Sequence, residues 1–209
     1  MKKTLSLILA VMLLSLPLVS CGSKGMTAEP FEAEVSVDTT GHILRKMEIV
    51  IEDYGTVSLT LDETVAPITV KHFIELANSG YYNGSSIIRL QEGFVLQGGS
   101  SNAFCESIKG EFSSNGIENN LLHKKGIISM ARTNEPDTAT SQFFIMLDES
   151  PVLDGDYAAF GWVTSGMNIV ETIEKDITFD DLSPDYYGYN MGFLKESSYI
   201  TITAVNVIE

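Results

Sequence analysis

Apolar residues recur along this chain with two periods, and each change of period marks an element. Residues 47–52 read as a strand, Asp53-Tyr54-Gly55 as a turn, and Val57, Leu59 and Leu61 alternate with polar residues in a second strand. Pro67 stands where a helix begins, since the first helical residue needs no N–H. Val70, Phe73, Ile74 and Ala77 then follow the i, i+3, i+4, i+7 spacing of one helix face, and Gly80 ends it. Asn83-Gly84 marks a tight turn. Short β-rich runs follow at 87–90, 93–97, 126–130, 141–147 and 158–163. Met167, Val170 and Ile173 predict a second short helix, and the alternation over 199–207 a last strand. Many short strands with only two helices predict an antiparallel barrel or sandwich, not a βαβ sheet.

The N-terminus follows neither period. Met1-Lys2-Lys3 is a basic start, and Leu5 to Val19 is apolar except for Ser6, Ser15 and Pro17. The run is short for a membrane span and fits a secretory leader. Leu18-Val19-Ser20-Cys21 resembles the bacterial lipobox, in which the cysteine thiol receives a diacylglyceryl group and becomes the new N-terminus. The other reading is an ordinary leader with a chance cysteine. Two or more acyl chains anchor stably, so the resemblance implies a cell-membrane protein, lipid-anchored at Cys21 and facing outside the cytoplasm. The next stretch, to about Arg45, is rich in Gly, Ser, Thr and Glu and reads as a tether. As a random coil, some 24 residues would span about 25–30 Å root-mean-square. Within it Phe31, Ala33, Val35 and Val37 alternate, which predicts an added edge strand. The expected organisation is a leader over 1–20, a lipidated N-terminus and tether over 21–45, and one domain over 46–209.

Composition narrows the function. Apolar residues make up 44% and charged residues 20%, a globular mixture that excludes a disordered chain and a multi-span membrane protein. Lys and Arg number 13 against 28 Asp and Glu, a net charge of −15 that loss of Lys2 and Lys3 makes more negative. Phosphate backbones repel such a chain, so no nucleic acid is expected as a partner. With Cys21 lipidated, Cys105 is the only thiol left for a disulfide. His42, His72 and His123 show no ligand spacing with each other or with Cys105, so no metal is expected. Gly98-Gly99 is followed by neither Lys-Ser/Thr nor a helix start, so no phosphate loop and no cofactor are expected.

Strand periodicity points to a groove. Residues i and i+2 share a face, so Gln142 and Phe144 face one way and Phe143 and Ile145 the other. The wholly apolar face belongs in a core; an amide beside a ring suits a binding surface. Val95 and Gln97 repeat that pairing, with Phe94 and Leu96 opposite, and Arg89 points away from Ile88 and Leu90.

Three stretches carry a family likeness: Ile88-Arg89-Leu90-Gln91-Glu92-Gly93-Phe94-Val95-Leu96-Gln97-Gly98-Gly99; Ser129-Met130-Ala131-Arg132 followed by Ser141-Gln142-Phe143-Phe144-Ile145; and Leu153-Asp154-Gly155 with Phe160-Gly161. With Ala66-Pro67-x-Thr69-Val70 opening the first helix, they resemble the cyclophilin family of peptidyl-prolyl isomerases, from about Lys46 to Val170 and again in the last strand. The resemblance implies a mainly β fold, a closed eight-stranded antiparallel β-barrel capped by two α-helices, with the substrate groove on its outer face. It implies catalysis of X–Pro rotation by Arg89, Gln97 and Phe144. Phe94, Val95, Phe144 and Leu153 match the family's proline pocket; Ala131, Arg132 and Gln142 match positions that bind substrate backbone. Four positions depart from the family: Val95 replaces a frequent methionine, Arg132 an asparagine, Tyr157 a histidine, and Val152 the frequent tryptophan on which cyclosporin-type inhibitors dock. The loop 133–140 is one residue longer than the common form. The implied partners are proline-containing polypeptides outside the cytoplasm, handled by a monomer; the alternative is a non-catalytic module that grips proline segments. The stretch 176–198, with Asp180, Asp181, Asp185, Tyr186, Tyr187 and Tyr189, reads either as a surface loop packing its rings on the barrel or as a client- or cation-binding lid.

Overall fold

Met47, Ile49 and Ile51 in β1 (Leu44–Ile51) face Val57, Leu59 and Leu61 in β2 (Gly55–Asp62) across an antiparallel hairpin, so both alternating sets are buried together. The structure, a computed structural model, describes residues 25–184 and 191–208. After the hairpin come α1 (Pro67–Asn78), β3 (Ser85–Ile87), β4 (Arg89–Gln91), β5 (Val95–Gly98), β6 (Ile127–Met130), β7 (Phe143–Met146), β8 (Ala159–Ser165), α2 (Met167–Asp176) and β9 (Ile200–Ile208). The strands form one antiparallel sheet in the order β3-β9-β1-β2-β8-β6-β7-β5-β4.

The two ends of that order are adjacent in the chain, separated by Ile88 alone. Ile88 N–H donates to Gln97 O at 3.0 Å, and Ile88 O accepts from Leu194 N–H at 2.8 Å. Residues 85–91 therefore act as one strand that changes partner at Ile88, from β9 to β5. That change closes the sheet, so nine strand segments make the expected eight-stranded barrel.

The interior is filled. Phe73 of α1 and Tyr82 pack tilted or edge-on against Phe143 and Phe160, at ring distances of 5.1 to 6.0 Å. The buried face of α2, Met167, Ile169, Val170 and Ile173, joins the same core. The void among Ile49, Leu96, Phe143 and Ile202 is about 10 Å³, barely room for one water. A substrate must therefore bind outside the barrel. A second apolar layer covers the outer face of β5 to β8, built from Val95, Leu121, Ile127, Phe144, Met146, Leu153 and Ala159.

The tether expectation is corrected for residues 26–42. Met26 N–H donates to Tyr54 O at 2.6 Å, Phe31 N–H to Thr164 O at 2.9 Å and Leu122 N–H to Ser36 Oγ at 2.8 Å. Val35 and Val37 pack on the outer apolar layer. The alternation read as an edge strand serves this docking instead. Only Pro30 bridges the sheet, at Ser165, because β8 is paired with β2 on one side and with β6 up to Trp162 on the other, which leaves only its end open. Among the described residues no helix is long and apolar enough to cross a membrane. The leader, Cys21, Asp185 and the tyrosines at 186, 187 and 189 lie outside the described residues.

Candidate active site on the outer barrel face

Cross-strand register assembles the site. Arg89 on β4 sits opposite Gln97 on β5, Gln97 opposite Phe144 on β7, and Phe144 opposite Ser129 on β6. Directly opposed residues point to the same face, so these four form one row across four neighbouring strands on the outer surface. Their in-strand neighbours Leu90, Leu96, Phe143 and Ile145 point into the core, as the alternation predicts.

The row is wired from end to end. Arg89 Nη1 donates to Gln97 Oε1 at 3.2 Å, Nη2 to Gln91 Oε1 at 2.7 Å and Nε to the Met191 carbonyl at 2.7 Å. Gln97 Nε2 donates on to Gln142 Oε1 at 2.8 Å. The Gln97 amide has one orientation, because flipping it would aim its NH₂ at the guanidinium. All three acceptors on Arg89 are neutral, and among the described residues it has no carboxylate partner. Its charge is thus held in place without being cancelled. Burial pulls the guanidinium below its ordinary pKa, with Tyr157 opposing, but a guanidinium starts so high that it stays protonated. One N–H on each terminal nitrogen has no partner among the described residues.

Beneath Phe144 lies a buried chain. His123 Nδ1 lies 2.9 Å from Asp154 Oδ1, and His123 Nε2 lies 3.0 Å from Ser129 Oγ. Burial holds the imidazole below its ordinary pKa, partly offset by Asp154. The ring is therefore neutral near pH 7, donating from Nδ1 to the carboxylate and accepting the Ser129 hydroxyl at Nε2. A Ser–His–Asp chain can serve acyl transfer, but Ser129 and His123 are 0% and 1% exposed and no substrate reaches them. They act as a scaffold: the imidazole stacks on Phe144 at 6.0 Å with 20° between planes, while Tyr157 meets Phe144 edge-on at 5.8 Å.

All the expected site residues except Gln142 and Val152 line one open pocket of about 180 Å³: Arg89, Phe94, Val95, Gln97, Ala131, Arg132, Phe144, Leu153 and Tyr157. Gln142 stands one bond away, behind Gln97. Val152 is 79% exposed and not among the residues that line the pocket, because the short turn Pro151–Leu153 sends Leu153 inward and Val152 out. Phe94 is corrected: it lies in the turn before β5, where strand alternation lapses, and it lines the pocket beside Val95 instead of facing the core with Leu96. Arg132 is sandwiched between the rings of Tyr157, at 4.6 Å, and Phe112, at 5.0 Å. Its Nε donates to Asp156 O and its Nη1 to Thr133 O, both at 2.8 Å, which folds the side chain onto its own loop.

Sequence reading missed Ser129 and His123 as parts of the site, and missed Phe193, which also lines the pocket. The only signal for Ser129 was its place at the head of the Ser-Met-Ala-Arg stretch; nothing along the chain joins Phe193 to Arg89. Spacing also separated His72 from Cys105, yet the fold brings Sγ within 3.6 Å of Nε2. Burial pushes that thiol up, so it is protonated, and among the described residues no metal-holding group of His, Cys, Asp and Glu forms.

The chain is similar to known proteins in sequence and in fold. The family described as cyclophilin type peptidyl-prolyl cis-trans isomerase/CLD matches residues 46–187. Peptidyl-prolyl cis-trans isomerase A of Dickeya dadantii is 36% identical over 154 residues, which are 69% of this chain and 77% of its own. A peptidyl-prolyl cis-trans isomerase of Helicobacter pylori is 37% identical over 128 residues, covering 58% of this chain and 76% of its own. Among solved structures, a cyclophilin type peptidyl-prolyl cis-trans isomerase of Cryptosporidium parvum superposes with a TM-score of 0.64 at 25% identity, covering 80% of this chain and 99% of the other.

Proposed function

This chain belongs to the cyclophilin-type peptidyl-prolyl cis-trans isomerase family, and on that premise we propose that it turns X–Pro bonds in the outer-face groove, with Arg89, Gln97 and Phe144 as its working residues. Rotation about the bond meets a barrier of about 18–20 kcal/mol because the amide is conjugated. No bond forms or breaks. At the top of the barrier the amide is twisted and the prolyl nitrogen carries a lone pair, which a planar amide lacks. A fixed donor aimed at that nitrogen therefore binds the twisted state better than either planar state, and such differential binding is what accelerates the reaction.

The single observation that carries this reading is the state of Arg89. It is charged, held by three neutral acceptors, and has N–H groups to spare at the mouth of an apolar pocket. Phe144, Val95 and Leu153 grip the proline ring while the chain beyond it turns. Gln97 holds one arm of the guanidinium, and the segment at Ala131 and Arg132 holds substrate backbone. The test is NMR exchange on a proline peptide, which reports binding and interconversion in one measurement. Wild-type chain should broaden the cis and trans signals by catalysed exchange. Binding without faster exchange would make the groove a proline-segment receptor instead.

The second part of the proposal concerns place. Leu18-Val19-Ser20-Cys21 supports lipidation at Cys21, which would leave the isomerase as a monomer on the outer side of a cell membrane, acting on secreted or envelope chains. Replacing Cys21 by Ala should move the protein from the detergent phase to the aqueous phase; unchanged partitioning and unchanged N-terminal mass would refute the anchor.

A further inference from the structure

The barrel closes along β4, yet β4 has a second neighbour. Residues 191–194 run antiparallel beside it, with Phe193 bridging Arg89. Leu90 N–H donates to Gly192 O and Leu194 N–H to Ile88 O, both at 2.8 Å, and Ser183 N–H donates to Phe193 O at 2.7 Å. Leu194 is buried in the core and pins one end of this strap. Gly192 has φ +80°, and a Cβ there would lie 2.2 Å from Leu90 O, so only glycine permits the approach. The strap sets two groups against Arg89: the Met191 carbonyl on Nε, at 2.7 Å, and the Phe193 ring, 5.5 Å from the guanidinium carbon. Phe193 is 40% exposed, lines the groove on the Arg89 side and faces it with surface the cation does not cover. The strap lies beyond residues 46–187, the part that matches the family.

We propose that this strap is a specificity and positioning element of the groove: Phe193 receives an apolar or aromatic side chain flanking the substrate proline, and the Met191 carbonyl fixes the plane in which Arg89 presents its N–H groups. The proposal rests on the isomerase reading above. A carbonyl suits the positioning task because it orients the guanidinium without neutralising it. A phenyl ring suits the other because it offers contact area with two rotatable bonds, and its stack on Arg89 restrains both. Tyr157 and Arg132 line the same pocket, stacked on each other at 4.6 Å.

The experiment compares wild type, Phe193→Ala, Phe193→Leu and Gly192→Ala on two peptide series, one varying the residue before proline and one the residue after it, through Ala, Leu, Phe and Glu. Wild type should favour Leu and Phe over Ala and Glu in one series. Phe193→Ala should cut that preference about 2- to 10-fold, the range of one aromatic pair, through KM. Phe193→Leu should keep the preference for Leu and lose that for Phe. Gly192→Ala, by pushing the strap off β4, should lower kcat and speed solvent exchange of the Arg89 Nε–H in nitrogen-15 spectra, a change that loss of fold, checked by melting, would not single out. An unchanged preference in Phe193→Ala across both series overturns the specificity role. An unmoved Nε–H with unchanged kcat in Gly192→Ala overturns the positioning role. A wild type that binds these peptides but isomerises none would defeat the isomerase reading separately, and the Phe193 comparison would then be read from peptide affinities by titration.

Discussion

Arg89 shows how much one side chain depends on its neighbours. Three neutral oxygens hold its fork, and two N–H groups remain for the substrate. Arg89→Ala should lower the interconversion rate at saturating peptide by about 10²–10³, the cost of one preorganised donor, while peptide affinity falls only modestly because the apolar pocket remains. Arg89→Lys should restore a minor part, since an ammonium lacks the planar fork. Line-shape analysis separates the two effects, and wild-type interconversion in Arg89→Ala would show that the donor lies elsewhere. His123 carries a pH dependence of stability. Burial lowers its folded pKa below the ordinary 6.5, so the unfolded chain takes up a proton that the native state refuses. Its contribution is intact above pH 6.5 and is lost as pH falls below that value. Melting temperature should decline on going from pH 7 to pH 5. His123→Gln should flatten that decline; an equal slope in the variant would assign the titration to another group. Asp38, Asp137 and Asp181, whose pKa values hydrogen bonds to backbone N–H groups lower, lose their contributions only below about pH 4, outside this window.

At the scale of elements, α1 is the instructive case. Its position was legible from Pro67 and the apolar spacing, but its cap was not. Ala66 precedes the helix and offers no side-chain cap. The orphan N–H groups of Ile68 and Thr69 instead donate to Glu111, at 3.0 and 2.7 Å, and the Thr69 hydroxyl adds a third bond at 2.7 Å. Glu111 is 1% exposed and lies 42 residues away from Thr69. Glu111→Ala leaves buried donors unpaired and should destabilise the fold by about 1–3 kcal/mol, read as a lower denaturant midpoint at unchanged slope. A midpoint equal to wild type would mean that water replaces the carboxylate. The strands tell a similar story. The alternation places each residue on a face, yet the division of 85–91 at Ile88 follows from which neighbours the barrel supplies.

At the scale of the whole molecule, docking of residues 26–42 shortens the leash. If Cys21 is the anchored end, the five residues to Met26 reach at most about 17 Å when fully extended, against the longer span of a free tether. Limited proteolysis of the native chain should therefore cut before Met26 and spare 27–41, as mass spectrometry would reveal; early cuts inside 27–41 would show that the segment leaves the barrel. EDTA should change neither melting nor isomerisation, since no metal-holding group forms among the described residues. A loss with EDTA would point to the acidic stretch near Asp180.

Local rules carried the reading a long way. Alternation, helix spacing, Pro67 and the turn residues determined nearly every element and which face each residue takes, because these depend on neighbours within a few positions. The three motif stretches located Arg89, Gln97 and Phe144. Register, closure and long-range pairing were decided only in three dimensions. The row Arg89–Gln97–Phe144–Ser129 exists because four strands align across the sheet, and no spacing along the chain encodes that alignment. The same holds for Glu111 on α1, for His123 beneath Phe144 and for Phe193 over Arg89. In each, two groups distant in sequence meet because burying apolar surface around a closed barrel leaves them no other place, and their hydrogen bonds and ring contacts form only once that packing is complete.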